Sequence, residues 1–133
     1  MTDTAATEMI HSLVPLCVTL GITADTAGPN EVVLSLDWAP NLCTGNDVLH
    51  GGIVMALADS SGAVCAFLNL PEGAGGTATI ESKTNFFAAT RSGTVKAHSH
   101  SLHIGKRVIV VETEIRGDDG KLAAKTIQSQ AVL

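Results

Sequence analysis

Twenty consecutive residues, His50 to Asn69, read HGGIVMALADSSGAVCAFLN and carry a single formal charge. The run is too long for one strand and is rich in Ala, Leu and Met, so it is expected to be a helix. Ile53, Leu57, Val64 and Leu68 fall along one face at helical spacing. Gly52, Ala56, Ala63 and Ala66 form a second face of small side chains, and Asp59 falls on it. A helix this apolar should be buried nearly all round, so the rest of the chain must wrap it. Only 3 % of the residues are aromatic while 45 % are hydrophobic, so the wrapping is expected to use Val, Leu, Ile and Ala.

The flanking segments suit that task. Residues 3–14 read as a short helix capped by Asp3 or Thr4, with Met9, Ile10 and Leu13 as its apolar stripe and Pro15 as its end. Residues 17–27 alternate as a strand through Val18, Leu20 and Ile22, and Gly28-Pro29-Asn30 marks a turn. Residues 31–38 alternate again, so a hairpin is expected, followed by a polar loop over 39–49. After a loop from Pro71 to Gly76, residues 77–87, 93–103, 107–116 and 122–132 read as strands. Asp118-Asp119-Gly120 is a hairpin-turn signal between the last two. The pattern is α+β, one domain over residues 1–133, with an antiparallel sheet around a long central helix.

Asp59 is the residue that does not fit a core helix. Between Asp47 and Glu72 it is the only side chain with a formal charge, and no Lys or Arg stands three or four positions away to pair with it. Buried alone it would cost several kcal/mol, so it must reach a cleft, water or donors from another segment. The competing reading is an Asp whose face meets solvent, or one bonded to Ser and backbone groups. His50-Gly51-Gly52 at the start of the same helix adds unencumbered N–H groups at the positive end of a helix dipole, a setting that suits an oxygen gaining negative charge.

Together, His50-Gly51-Gly52 and an acid nine positions after the His resemble the signature of hotdog-fold thioesterases of the PaaI / 4-hydroxybenzoyl-CoA thioesterase type. The resemblance spans roughly residues 9–132, since the element order matches a central helix wrapped by an antiparallel sheet. It implies an acyl-CoA thioesterase that hydrolyses an acyl- or aryl-CoA thioester to the free acid and CoA. Asp59 would act as general base or nucleophile, the Gly51 N–H would polarise the thioester carbonyl, and His50 would shape the site. It also implies a homo-oligomer, dimer or tetramer, whose active site lies at the subunit interface. Members of the type often carry Asn or Gln six positions before the His; here Thr44 stands there, and Asn46 is the chosen substitute, with Asn41 also nearby. A Ser or Thr on the strand after the helix often holds the attacking water, which points to Thr79, with Thr77 as the alternative. Arg91, Lys106 and Arg107 are candidate contacts to the CoA phosphates.

Other chemistry is less well supported by the residues. His98, His100 and His103 lack an acid or Cys at ligand spacing, so no metal and no cofactor are expected. Cys65 has no adjacent His and reads as a buried thiol. Cys17, Cys43 and Cys65 contain no C-x-x-C pair, and the first eight residues carry acids but no base, which suits a reduced, cytoplasmic protein. A net charge of −5 gives no footprint for nucleic acid, and no apolar run reaches membrane-spanning length. A hotdog hydratase and a non-catalytic acyl-CoA-binding module are the competing functions; an isolated acid in an apolar helix argues against the second.

Overall fold

The computed structural model describes residues 1–133. Helix α1 spans Thr4–Leu13 and helix α2 spans Pro15–Leu20; strands β1 (Thr23–Ala27) and β2 (Val32–Asp37) follow. The long helix α3 covers Gly51–Phe67, and strands β3 (Thr77–Phe86), β4 (Thr94–Ile104), β5 (Val108–Arg116) and β6 (Leu122–Val132) complete the chain. All strand pairings are antiparallel, and the sheet order is β1-β2-β4-β5-β6-β3. Helix α3 therefore connects β2 near one edge of the sheet to β3 at the other, and it packs across β2, β3, β4, β5 and β6. This is the hotdog arrangement. None of the helices is long and apolar enough to cross a membrane.

The N-terminal segment corrects the sequence reading. Residues 15–20 are helical, and the strand begins only at Thr23. Pro15 does end α1, with the pre-proline residue Val14 at φ −131°. It also starts α2, because a proline at the first helical position gives up an N–H that would have no partner. Gly21 closes α2 in the left-handed conformation at φ 69°. Val18 and Leu20 are thus helical, and Cys17 and Ile22 are the buried members of the segment. The loop predicted over 39–49 contains two short 3-10 turns, Pro40–Leu42 and Gly45–Asp47.

Helix α3 is also less completely covered than its composition suggests. Leu57, Ala58, Val64, Cys65 and Ala66 are buried against the sheet, and Ile53 is partly buried. Ala66 thus belongs to the core face rather than the Asp59 face. Gly52, Met55, Asp59 and Phe67, which recur at helical spacing, remain exposed. The chain's own sheet wraps one side of the helix and leaves this stripe open.

The sheet surface beneath α3 mixes apolar and polar groups. Val95, Ala97, Ile109, Val111 and Ile115 supply the apolar part. Ser61 Oγ lies 2.7 Å from Ser99 Oγ, which lies 2.6 Å from Thr113 Oγ1, all buried. Each such bond adds about 0.5–1.5 kcal/mol net, and leaving one hydroxyl unpaired would cost more. Small hydroxyl side chains let the helix approach closely while keeping every polar atom bonded.

Candidate active site

The start of α3 is built by His50. Its Nδ1 accepts the Gly52 N–H at 2.8 Å, so the side chain acts as the N-cap. In the neutral ring, accepting at Nδ1 leaves the proton on Nε2. The His50 N–H donates to Leu42 O at 2.9 Å, and its carbonyl accepts from Ile53 and Val54. The Gly51 N–H has none of these partners. It is a first-turn donor, directed away from the helix at the positive end of the dipole.

Gly51 opens onto a cavity of about 350 Å³ lined by Thr44, Val48, Gly51, Val54, Phe86 and Thr90 among others. A Cβ on residue 51 would meet Phe86 Cζ at 3.3 Å, so glycine keeps the cavity wall open at this point. Thr44, six positions before His50, is the polar residue of the 39–49 loop that lines this cavity. Asn46 is exposed in the 3-10 turn, at φ 60° and ψ 32°, a left-handed conformation that Asn tolerates well. It is not part of the cavity wall, and neither is Asn41.

Asp59 lies two turns farther along, on the open stripe of α3. Although the residue is exposed, partial desolvation by the surrounding chain raises its carboxyl above the ordinary aspartate value, with no opposing bond or charge. Eight residues at 1.5 Å rise place it about 12 Å along the axis from Gly51. The two groups are thus well separated along the helix of one protomer. Thr79 sits on β3, the strand next to this stripe, where its Oγ1 accepts from Gln130 Nε2 at 2.7 Å. Thr77, at the start of β3, lines an apolar groove of about 270 Å³ with Leu13, Ala63 and Phe67.

The basic candidates separate. Arg91 lies in the β3–β4 connection beside Asp118, Asp119 and Lys121, in a groove that shares Ala88, Ala89 and Thr90 with the Gly51 cavity. Lys106 and Arg107 form the β4–β5 turn at the other end of the sheet. The eleven residues of β4 put the two ends about 33 Å apart. On the outer face of the sheet, strand pairing brings an acid to the histidines that the linear sequence does not show: His100 Nε2 is 3.2 Å from Glu112, which also bonds Lys125 at 2.8 Å. No three metal-capable side chains converge there or elsewhere. Cys65 is fully buried, and burial raises its thiol despite a contact to Ser101.

With this geometry in place, the chain can be compared with known proteins. The model of the Thioesterase superfamily matches residues 46–124, which includes the His50–Asp59 segment. This chain belongs to the Thioesterase superfamily. A Saccharolobus solfataricus protein named as an esterase is 35 % identical over 103 residues, 77 % of this chain and 72 % of that one. The 1,4-dihydroxy-2-naphthoyl-CoA hydrolase of Escherichia coli is 33 % identical over 86 residues, 65 % of this chain and 62 % of that one. The crystal structure of a thioesterase from Haemophilus influenzae superposes with a TM-score of 0.88 at 25 % identity, covering 99 % of this chain and 93 % of that one. The superfamily member described here is thus a thioester hydrolase with the hotdog fold.

Two buried polar side chains beneath α3 are not legible in the sequence. Gln128 and Gln130, on β6, are buried beneath α3 and bonded to one another. Residues 125–130, KTIQSQ, alternate, but hydrophobicity would turn Ile127 inward and the glutamines outward. The signal that could have found them is Gly62 in the middle of α3, which marks a close approach from the sheet.

Proposed function

We propose that this hydrolase acts on acyl- or aryl-CoA thioesters, with Asp59 of one protomer and Gly51 of its partner forming each active site. The observation that carries the reading is the unpartnered Gly51 N–H beside the cavity at the start of α3, with an isolated carboxylate on the open stripe of the same helix. The thioester carbonyl would accept from Gly51 N–H. Asp59 would take a proton from water held by Thr79, and the water oxygen would attack the carbonyl carbon. The N–H stabilises the tetrahedral oxyanion, which then collapses with departure of the CoA thiolate. Direct attack by Asp59 is the other form of the same chemistry. His50 holds Gly52 and so fixes the turn that presents Gly51. Thr44 is better placed than Asn46 to contact the thioester, because it lines the cavity.

The separation of about 12 Å between the two groups supports a shared site, and so does the surface around it. Strand β3 is an edge strand, paired only with β6. Ile80 and Phe86 on it, and Met55 and Phe67 on α3, are exposed. An unpaired edge beside apolar side chains favours association through that edge. Arg91 is positioned to meet a CoA phosphate near Gly51; Lys106 and Arg107 would reach such a site only from the partner. We place the single domain, residues 1–133, in the cytoplasm, which suits its three free thiols and a CoA thioester substrate.

The test is CoA release from a panel of acyl- and aryl-CoA thioesters. Wild type should release CoA, and folded Asp59→Asn should turn over at least about a hundredfold more slowly. Equal rates for the two proteins would remove Asp59 from the mechanism.

A further inference from the structure

Below the Asp59 turn of α3, strand β6 buries Gln128 and Gln130, each 1 % exposed. A buried amide without bonds costs about 1–3 kcal/mol, and Leu or Met would fill the same volume without that hazard. The two amides are bonded in series. Gln128 Nε2 donates to Ala58 O at 3.3 Å, Gln130 Nε2 donates to Gln128 Oε1 at 2.6 Å, and Gln130 Nε2 also donates to Thr79 Oγ1 at 2.7 Å. Ala58 O belongs to the peptide bond that leads into Asp59. Gly62 makes room for the first link, since any Cβ there would overlap the Gln128 amide.

The direction of this series follows from its first atom. A main-chain carbonyl can only accept. Ala58 O therefore requires the NH₂ group of Gln128 and turns Oε1 the other way. Oε1 in turn requires the NH₂ group of Gln130, whose second hydrogen points at Thr79. Flipping either amide would set two acceptors against each other. Thr79 Oγ1 is thereby committed as an acceptor on the buried side, and its own hydrogen is left to donate on the exposed side of β3.

We propose that Gln128 and Gln130 are positioning residues for hydrolysis, an amide relay that locks the Asp59 turn to Thr79 and makes Thr79 a donor toward the reacting water. The inference rests on the assignment of Asp59 and Thr79 given above. A water that accepts from Thr79 keeps its own hydrogens for the carboxylate, which is the orientation general-base attack needs. Severing the relay leaves Thr79 free to rotate and donate elsewhere, so the water is held less often in the reactive pose.

The experiment compares steady-state kinetics of wild type, Gln130→Met, Thr79→Val, Thr79→Ser, the Gln130→Met/Thr79→Val pair and Asp59→Asn, with benzoyl-CoA and a short acyl-CoA. Gln130→Met should lower kcat roughly tenfold or more, as expected for lost orientation, with KM little changed. Thr79→Val should fall similarly, and Thr79→Ser should retain most of the activity. The pair should be no slower than Thr79→Val alone, because both changes act through one hydroxyl. Wild-type kcat in folded Gln130→Met, or losses that multiply in the pair, would overturn the relay. Should Gln130→Met fail to melt cooperatively, the exposed Thr79 decides: Thr79→Val as fast as wild type overturns the proposal. Asp59→Asn separates the two failures. An active Asp59→Asn defeats the thioesterase assignment of that residue, whereas an inactive one beside fully active Gln130→Met and Thr79→Val defeats the relay alone.

Discussion

As the proposed base, Asp59 would link stability to activity through one proton. Partial desolvation raises its carboxyl in the folded chain even though the residue is exposed, so the folded state holds the proton more tightly than the unfolded state does. Stability then falls as pH rises from the ordinary aspartate value to the raised folded value, and the loss persists above it. Asp59→Asn mimics the protonated form. It should melt at a higher temperature than wild type at neutral pH, and the gap should close below the ordinary aspartate range. Thermal melts at neutral and acid pH check this; a gap that stays constant or reverses would contradict the raised value. For the same reason the acid limb of kcat/KM should lie above the ordinary aspartate value, since the base must be ionised. This residue was legible in the sequence because a lone charge in an apolar helix has few explanations. Which polar residue of the 39–49 loop faces the cavity was not legible. Thr44 and Asn46 differ by backbone conformation, and Asn46 adopts its left-handed turn at φ 60°, which points the choice away from side-chain chemistry alone.

At the scale of elements, α3 and β6 are fitted to each other through Gly62 and Gln128. Replacing a mid-helix Gly by Ala normally stabilises by about 1 kcal/mol. Here the added Cβ would collide with the Gln128 amide, so Gly62→Ala should lower the melting temperature. In a Gln128→Ala background the collision is gone, and the same change should raise it. The two should couple by about 0.5–3 kcal/mol in a double-mutant cycle, the range for residues in direct contact; independent effects would show that the contact is not what keeps residue 62 a glycine. Such pairs explain what sequence patterning could and could not supply. The four long strands and α3 were legible because their periodicities run for nine residues or more. Helix α2 was not: over six residues, Val18, Leu20 and Ile22 satisfy an alternation as well as a helix does, and Pro15 signals either a stop or a start. The inward turn of Gln128 in place of Ile127 was hidden for a different reason. Its benefit comes from the Ala58 carbonyl seventy positions away, and local pattern carries no trace of that partner.

At the scale of the whole molecule, composition predicts a helix buried all round, and one chain covers only one side of it. The open stripe through Met55, Asp59 and Phe67 and the free edge of β3 are the part of the fold a second protomer would complete. A shared site has a consequence that a site within one chain lacks. Gly51→Pro removes the N–H proposed to meet the thioester and adds a Cβ 3.3 Å from Phe86 Cζ, while proline itself is well tolerated at a first helical position. His50 already has the extended ψ of 132° that a following proline requires. This variant should lose about 10²–10³ in kcat, the usual scale for one lost oxyanion donor. Asp59→Asn should be comparably inactive. When the two are unfolded together in equal amounts and refolded, half of the dimers should be mixed. Each mixed dimer pairs the Asp59 of the Gly51→Pro chain with the Gly51 of the Asp59→Asn chain in one site, and both lesions fall in the other. Activity should return to about a quarter of the wild-type rate per protomer, as a two-fold dimer with random pairing requires. If Asp59 and Gly51 served a site within one chain, no mixture could contain an intact site, and the refolded sample would remain as inactive as its components.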